Sequence, residues 1–233
     1  MKQQITILTG AGISAESGIS TFRDANGLWE NHRIEDVATL DAWRKNPELA
    51  QEFYNLRRKQ LFEVEPNAAH LAITNLENKF NVQVVTQNVD DLHERAGNSN
   101  VLHLHGQLKQ VRSTGYPYQV YDLDGWELLM GDTCDKGHQL RPHIVWFGED
   151  VPNFPVAAEL VSKSAAVIIV GTSLNVYPAA SLYKYAPVAI PIWIVDPKAN
   201  KLVYPDSIIA ISEKAGAALP RLVQSLLKEE IIL

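Results

Sequence analysis

Three short runs rich in β-branched residues, at 5–8, 82–86 and 167–170, restrict this chain more than any other feature. Each is dominated by β-branched residues and is bounded by turn residues, the pattern of a strand buried on both faces of a parallel sheet. Runs at 190–195 and 208–211 extend the series. Between them the period becomes helical, notably at 66–78 and 156–162, with a further helix expected at 217–227. Strands alternating with helices predict an α/β fold, a Rossmann-like, doubly wound parallel sheet. Two stretches interrupt the alternation: 31–65 is helical with no strand, and 112–141 is rich in Gly, Asp and aromatic residues without a clean period. Together they are expected to form a small inserted second domain, leaving 1–30, 66–111 and 142–233 as the principal one. A chain of 233 residues is long enough for this arrangement.

Composition excludes several functions. With 46% hydrophobic and 21% charged residues, the chain is neither disordered nor membranous. Its longest apolar run, at 165–170, is far short of the roughly 20 residues that span a bilayer, so no membrane partner is expected. Residues 1–8 lack the longer apolar region of an export signal. A single cysteine, Cys134, rules out an intramolecular disulfide and fits a reducing compartment, hence the cytoplasm. A formal net charge of −6 argues against nucleic acid as a partner.

The segment Gly10-Ala11-Gly12-Ile13-Ser14-Ala15 follows the first strand and precedes sequence expected to be helical. It matches the G-x-G-x-x-G/A turn, in which glycines let the backbone approach a pyrophosphate at a helix N-terminus. Short glycine turns between strand and helix also serve steric ends alone. A standard dehydrogenase would next carry a second strand ending in an acidic residue roughly 20 positions on. Here that stretch is helical instead.

Several motifs taken together resolve the ambiguity. Gly10-Ala11-Gly12-Ile13-Ser14, Gly18-Ile19-Ser20-Thr21-Phe22-Arg23, Thr86-Gln87-Asn88-Val89-Asp90, His105-Gly106, Pro142-His143-Ile144-Val145-Trp146-Phe147-Gly148-Glu149 and Gly171-Thr172-Ser173-Leu174 stand in an order that resembles the sirtuin family. The resemblance covers nearly the whole chain. It implies an enzyme in which an acyl-lysine carbonyl oxygen displaces nicotinamide from NAD and the acyl group passes to ADP-ribose.

It also implies roles for particular residues. His105 becomes the general base that activates a ribose hydroxyl, and histidine, titrating near neutral pH, suits that task. His103 is the alternative, because on an extended strand both side chains share one face; the pair also reads as metal ligands or as hydrogen-bonded core histidines. For NAD the resemblance assigns Gly10, Ala11, Gly12, Ile13 and Ser14, with Phe22 and Arg23 on a segment similar to the family's mobile cofactor loop. Asn88 and Asp90, with Gln87, would hold the nicotinamide and its ribose, although alone they read as a turn. Gly171, Thr172 and Ser173 would line ribose and phosphates, Ala215 would meet adenine, and the Asp196 region would lie near the adenosine. Val145, Phe147 and Gly148 on one side, with 174–177 including Val176 on the other, are similar to segments that clamp an extended acyl-lysine peptide by main-chain pairing.

A helix predicted at 47–62 places Leu49, Phe53 and Leu56 on a buried stripe, with Tyr54 and Arg57 on an adjacent face. Tyr54-Asn55-Leu56-Arg57 matches the Tyr-x-x-Arg pair with which sirtuins that remove succinyl and malonyl groups hold the distal carboxylate. Ala42 matches the small residue that admits the longer acyl chain. The plainer reading is a packed tyrosine and a solvated arginine beside Arg58. Most sirtuins also carry a structural zinc held by two cysteine pairs. Here the first pair's place reads Ser113-Thr114-Gly115-Tyr116 and the second keeps only Cys134, with His138 nearby, too few for four ligands. Zinc is expected to be absent, with Tyr116, Tyr118, Tyr121, Trp126, Leu128 and Leu129 packing in its stead. The implied function is NAD-dependent removal of acetyl and of succinyl or malonyl groups from protein lysines. The same pocket would also serve an NAD glycohydrolase, an ADP-ribosyl transferase or a non-catalytic NAD sensor.

Overall fold

Side chains along the predicted strands divide by parity between two apolar layers, as strands covered on both faces must. Ile5, Ile7, Val82, Val84, Ile168 and Val170 pack on one side, and Leu8, Val85, Val167 and Ile169 on the other. The computed structural model describes residues 2–20, 28–29, 32–202 and 204–228. In chain order the strands are β1 (Gln4–Thr9), β2 (Leu28–Trp29), β3 (His32–Arg33), β4 (Asn81–Thr86), β5 (Val101–His103), β6 (Gly106–Ser113), β7 (Val120–Asp122), β8 (Leu140–Ile144), β9 (Ala166–Val170), β10 (Ile192–Val195) and β11 (Ile208–Ile211). The helices are α1 (Ile34–Val37), α2 (Leu40–Lys45), α3 (Pro47–Leu61), α4 (Ala68–Leu76), α5 (Leu92–Arg95), α6 (Phe154–Ser162) and α7 (Ala215–Leu227).

The main sheet has the order β11-β10-β9-β1-β4-β5, with every pair parallel. Helices α4 and α7 cover one face, while α6 and the turn at Ala179–Tyr185 cover the other, which makes the α/β fold Rossmann-like and doubly wound. From β1 the chain runs outward to β4 and β5, then crosses back to β9 on the opposite side. Strand order therefore reverses between β1 and β9, and ligands of open α/β sheets bind outside the carboxyl ends of the strands at such a reversal. A separate antiparallel sheet, β7-β6-β8, packs beside α3 through a third apolar cluster that includes Phe53, Tyr54, Leu108, Ile144 and Trp146.

Four expectations need correction. The glycine turn runs into two short 3-10 turns, Ala11–Ile13 and Ala15–Ser17, so among the described residues it does not itself open an α-helix. The 31–65 stretch contains a strand after all, β3, paired antiparallel with β2. On α3, Leu56 is 57% exposed, outside the buried stripe expected of it. The buried arc instead takes in Phe53, Tyr54, Asn55, Arg57 and Arg58, because this helix is fixed to the small sheet by polar groups as well as apolar ones. Arg58, fully buried, donates from Nε to Leu108 O and from Nη1 to Asn55 Oδ1 (2.8 Å) and Trp126 O (2.7 Å). Burial lowers its pKa to about 10. Asn55 in turn exchanges two hydrogen bonds with the backbone of Leu128, at 2.9 and 3.0 Å.

The aromatic packing expected at 112–141 is the fourth. Tyr118 is 99% exposed, and Tyr116 and Leu129 are exposed as well; of the expected set only Leu128 is fully buried. What organises the segment is hydrogen bonding around Ser113. Its Oγ accepts from the N–H of Gly115 (3.3 Å) and Tyr116 (3.1 Å) and lies 3.3 Å from Cys134 Sγ. The antiparallel sheet also begins at Gly106 and closes at Ile144, wider than 112–141.

Candidate active site

Where strand order reverses, the loops after β1 and β9 meet backbone to backbone. Gly12 N donates to Gly171 O (2.9 Å) and Gly10 N to Val170 O (3.0 Å). A Cβ on Gly12 would stand 2.6 Å from Gly171 Cα, and one on Gly171, whose φ is +60°, would stand 2.4 Å from Ile13 N. The glycines thus serve first to let the two loops touch, which seats both at the floor of a cleft. The cleft has a volume of about 520 Å³.

Gly10, Ala11 and Gly12 line it, as do Gly171, Thr172 and Ser173 and, at the start of α7, Ala215. Gln87, Asn88 and Asp90 enter from the loop after β4, and Gln87 Nε2 donates across the floor to Thr172 Oγ1 (3.3 Å). Ile13 and Ser14 do not line the cleft. The 3-10 turn directs Ile13 into the core, while Ser14 stands behind the wall. From there the Ser14 hydroxyl donates to Asp90 Oδ2 (2.9 Å) and accepts from Asn88 Nδ2 (3.1 Å). Burial raises the pKa of Asp90, opposed by the bonds from Ser14 and from the N–H of Leu92. Phe22 and Arg23 lie outside the described residues.

His105 and His103 have different environments. His105 lines the cleft, with Nδ1 3.0 Å from Gln87 O. A carbonyl only accepts, so Nδ1 carries the hydrogen and Nε2 keeps its lone pair, the state a general base needs. Burial lowers its pKa, opposed by that bond, and so favours the neutral ring. Gly106 explains the His-Gly step: its φ is +79°, and a Cβ there would stand 1.9 Å from His143 O, where β6 crosses β8. His103 is buried outside the lining, bonded to Asn88 O (2.9 Å) and Glu94 Oε1 (2.7 Å), so the two histidines share neither a pocket nor a ligand. Among the described residues no group of three or more His, Cys, Asp or Glu side chains is placed to hold a metal ion.

The opposite wall comes from α3 and the segment after β8. Tyr54 and Arg57 both line the cleft and both are buried, which removes the solvated arginine from consideration. The Tyr54 hydroxyl accepts from Trp146 Nε1 (3.0 Å), and burial raises its pKa. Ala42 is buried in the first turn of α2, its N–H bonded to Thr39 Oγ1 (2.9 Å), and does not reach the cleft; Ala38 does. Val145, Phe147, Gly148 and Val176 line it as expected, but the N–H groups of Val145 and Phe147 already donate to His105 O (2.9 Å) and Ala38 O (3.0 Å).

Sequence reasoning missed the group that fixes this wall. Glu149, also at the cleft, accepts from Arg112 Nη2 at 2.9 Å to each oxygen, from Arg141 Nη2 (2.6 Å) and from the N–H of Trp146 (2.8 Å). Arg141 also stacks 3.8 Å from the Trp146 ring centroid. An acidic residue ending the 142–149 motif, with arginines on β6 and β8 of the small sheet, was the available signal.

Comparison with known proteins bears on all of this. The profile of the Sir2 family matches residues 10–178. An "NAD-dependent protein deacylase" of Helicobacter pylori (strain J99 / ATCC 700824) is 52% identical over 228 residues, covering 97% of this chain and 96% of that protein. Among solved structures, a Sir2 homolog–NAD complex superposes with a TM-score of 0.85 at 38% identity, covering 98% of this chain and 91% of the other. Sir2 in complex with an inhibitor, 2′-O-acetyl-ADP-ribose and a deacetylated p53 peptide superposes with a TM-score of 0.74 at 27% identity, covering 98% and 94%.

Proposed function

Since this chain belongs to the Sir2 family and is an NAD-dependent protein deacylase, we propose that it removes succinyl and malonyl groups from protein lysines at least as well as acetyl groups. The observation that carries the reading is one continuous cleft with the glycine loops at its floor, His105 in its wall, and the paired Tyr54 and Arg57 opposite.

The residues present fit NAD, because the cleft lies at the reversal of strand order and its floor offers backbone groups with an amide and a carboxylate already oriented by Ser14. When bound, NAD supplies an electrophilic ribose carbon with nicotinamide as leaving group. In this reading Gly10, Ala11, Gly12, Gly171, Thr172 and Ser173 hold phosphates and ribose, Ala215 meets adenine, and Asn88 and Asp90, set by Gln87 and Ser14, hold the nicotinamide end. His105 takes a ribose hydroxyl proton at Nε2. Phe147, Gly148 and Val176 guide the acyl-lysine chain, with fewer main-chain pairs than a free strand edge would offer.

Arg57 and Tyr54 then read the far end of the acyl group. A guanidinium meets a carboxylate bidentately, and the low-dielectric wall strengthens such charge-assisted bonds. The reading includes no zinc, a location in the cytoplasm, and a division of labour in which the principal domain holds NAD and the inserted one meets the acyl group. Arg57→Met tests it on matched peptides. If the lost contact is worth about 2–3 kcal/mol, kcat/KM for succinyl-lysine falls roughly 30- to 150-fold relative to acetyl-lysine. Equal losses on both substrates would mean that Arg57 supports the wall and does not read the acyl chain.

A further inference from the structure

His103, which the sequence offered as a rival base, has two neighbours that restrict its chemistry. Nδ1 faces the Asn88 carbonyl oxygen at 2.9 Å and Nε2 faces a Glu94 carboxylate oxygen at 2.7 Å. Both oxygens accept only, so both ring nitrogens carry hydrogen and the ring is an imidazolium paired with Glu94. The shift agrees in direction: burial alone would lower the pKa, yet the Glu94 carboxylate and the Asn88 carbonyl outweigh it and raise it. Glu94, for its part, is held below the usual carboxylate range: burial pushes it up, but the bond and charge of His103 prevail.

The loop after β4 is thereby held by two histidines at once. His105 Nδ1 binds the carbonyl of Gln87 and His103 Nδ1 binds that of the next residue, Asn88. Asn88 is fixed at two further points, its N–H on Thr86 Oγ1 (3.0 Å) and its Nδ2 on Ser14 Oγ (3.1 Å). Of these three ties only the one to His103 is charge-assisted, the stronger kind.

We propose that His103, clasped by Glu94, is a positioning residue that fixes Asn88 for the nicotinamide end of the cleft, an inference that rests on the reading of Asn88 given above. His103 touches no reacting atom; it acts through the Asn88 carbonyl. The test is His103→Gln, assayed for kcat/KM toward NAD at saturating acyl-peptide, for peptide KM at saturating NAD, and for inhibition by nicotinamide. Loss of a charge-assisted bond is expected to lower kcat/KM for NAD about ten-fold and to weaken nicotinamide inhibition by a similar factor, while peptide KM stays within about two-fold, less than the loss of one weak hydrogen bond. Glu94→Gln, which keeps a hydrogen-bonding neighbour but discharges the ring, is expected to show a smaller loss of the same kind. Parallel damage to the NAD and peptide parameters, or a lower Tm with unchanged kinetics, would overturn the proposal. Asn88→Ala separates the two failures. If it leaves nicotinamide inhibition unmoved, the reading of Asn88 falls and the proposal with it; if it moves inhibition while His103→Gln does not, only the proposal falls. Should His103→Gln not fold, nitrogen NMR of the wild-type ring decides: two protonated nitrogens at neutral pH are expected, and one bare nitrogen would refute the clasp.

Discussion

In the main sheet β9 is buried at all five positions, between two layers of aliphatic side chains. In the small module Tyr118, on the turn between β6 and β7, is almost fully exposed, and hydrogen bonds help to fix the segment: Arg58 on two backbone carbonyls, Asn55 on Leu128, Ser113 on two amides. One region is ordered by removing carbon from water; the other adds, to the apolar cluster it shares with α3, the satisfaction of polar groups that burial would otherwise leave costly. The cleft lies between them, so its glycine-loop floor and its α3 wall inherit different kinds of rigidity.

The largest effect expected within the cleft itself is that of His105→Ala. A general base contributes about 10²- to 10⁴-fold, so deacylation falls by that factor while NAD binding, measured by calorimetry, stays near wild type. Binding lost along with rate would show that the boundary between floor and wall is not where this comparison puts it.

Next come two substitutions read side by side. Ile168→Ala, in the buried centre of β9, is expected to lower global stability by about 2–5 kcal/mol, as large-to-small core changes do. Arg58→Met leaves the carbonyls of Leu108 and Trp126 without a donor, at a cost of about 1–3 kcal/mol for each such group. Hydrogen exchange should place the second loss mainly at 106–144 and the first across the main sheet. A chelator should leave the wild-type pattern unchanged at 106–144; deprotection there would mean that a metal, not Arg58 and Ser113, organises the module.

A smaller effect belongs to the main sheet at low pH. His70 and His93 meet edge to face, ring centroids 4.9 Å apart, behind the loop after β4, and burial lowers their pKa values to about 4 and about 3 from an ordinary 6.5. The unfolded chain therefore binds more protons than the folded one between 6.5 and these values, so stability is complete above about 6.5 and is lost as pH falls through that window. Each histidine contributes up to about 1.4 kcal/mol per pH unit. Denaturant midpoints from pH 7 to 5 measure it, and removing both rings with His70→Gln and His93→Gln should flatten the slope.

The same contrast explains what the sequence disclosed. A run such as 166–170 carries its burial in its own residue types, so strands, sheet class and the glycine loops were legible locally. Arg58 carries no such mark. It reads as a surface cation, and its burial is made tolerable by Asn55 together with the carbonyls of Leu108 and Trp126, far along the chain. Leu56 was misjudged for the same reason, since a purely apolar stripe was assumed where a mixed one, Phe53 and Tyr54 beside Asn55 and Arg58, faces the module. Within the cleft, the motifs named many of the lining residues, but Ile13, Ser14 and Ala42 stand outside the lining, and nothing in them disclosed that Ser14 works from behind Asn88 and Asp90 or that Glu149 braces the wall beside α3.

The central claim is that this cleft joins an NAD-holding floor to a wall that reads an acidic acyl chain. The most direct test is the ratio of kcat/KM for wild-type protein on succinyl- and acetyl-lysine versions of one peptide, with NAD saturating. A ratio of one or more is the result predicted. Acetyl-lysine favoured by about ten-fold, a difference of roughly 1.4 kcal/mol, would contradict it, because a buried guanidinium facing the acyl group would then contribute nothing to its recognition.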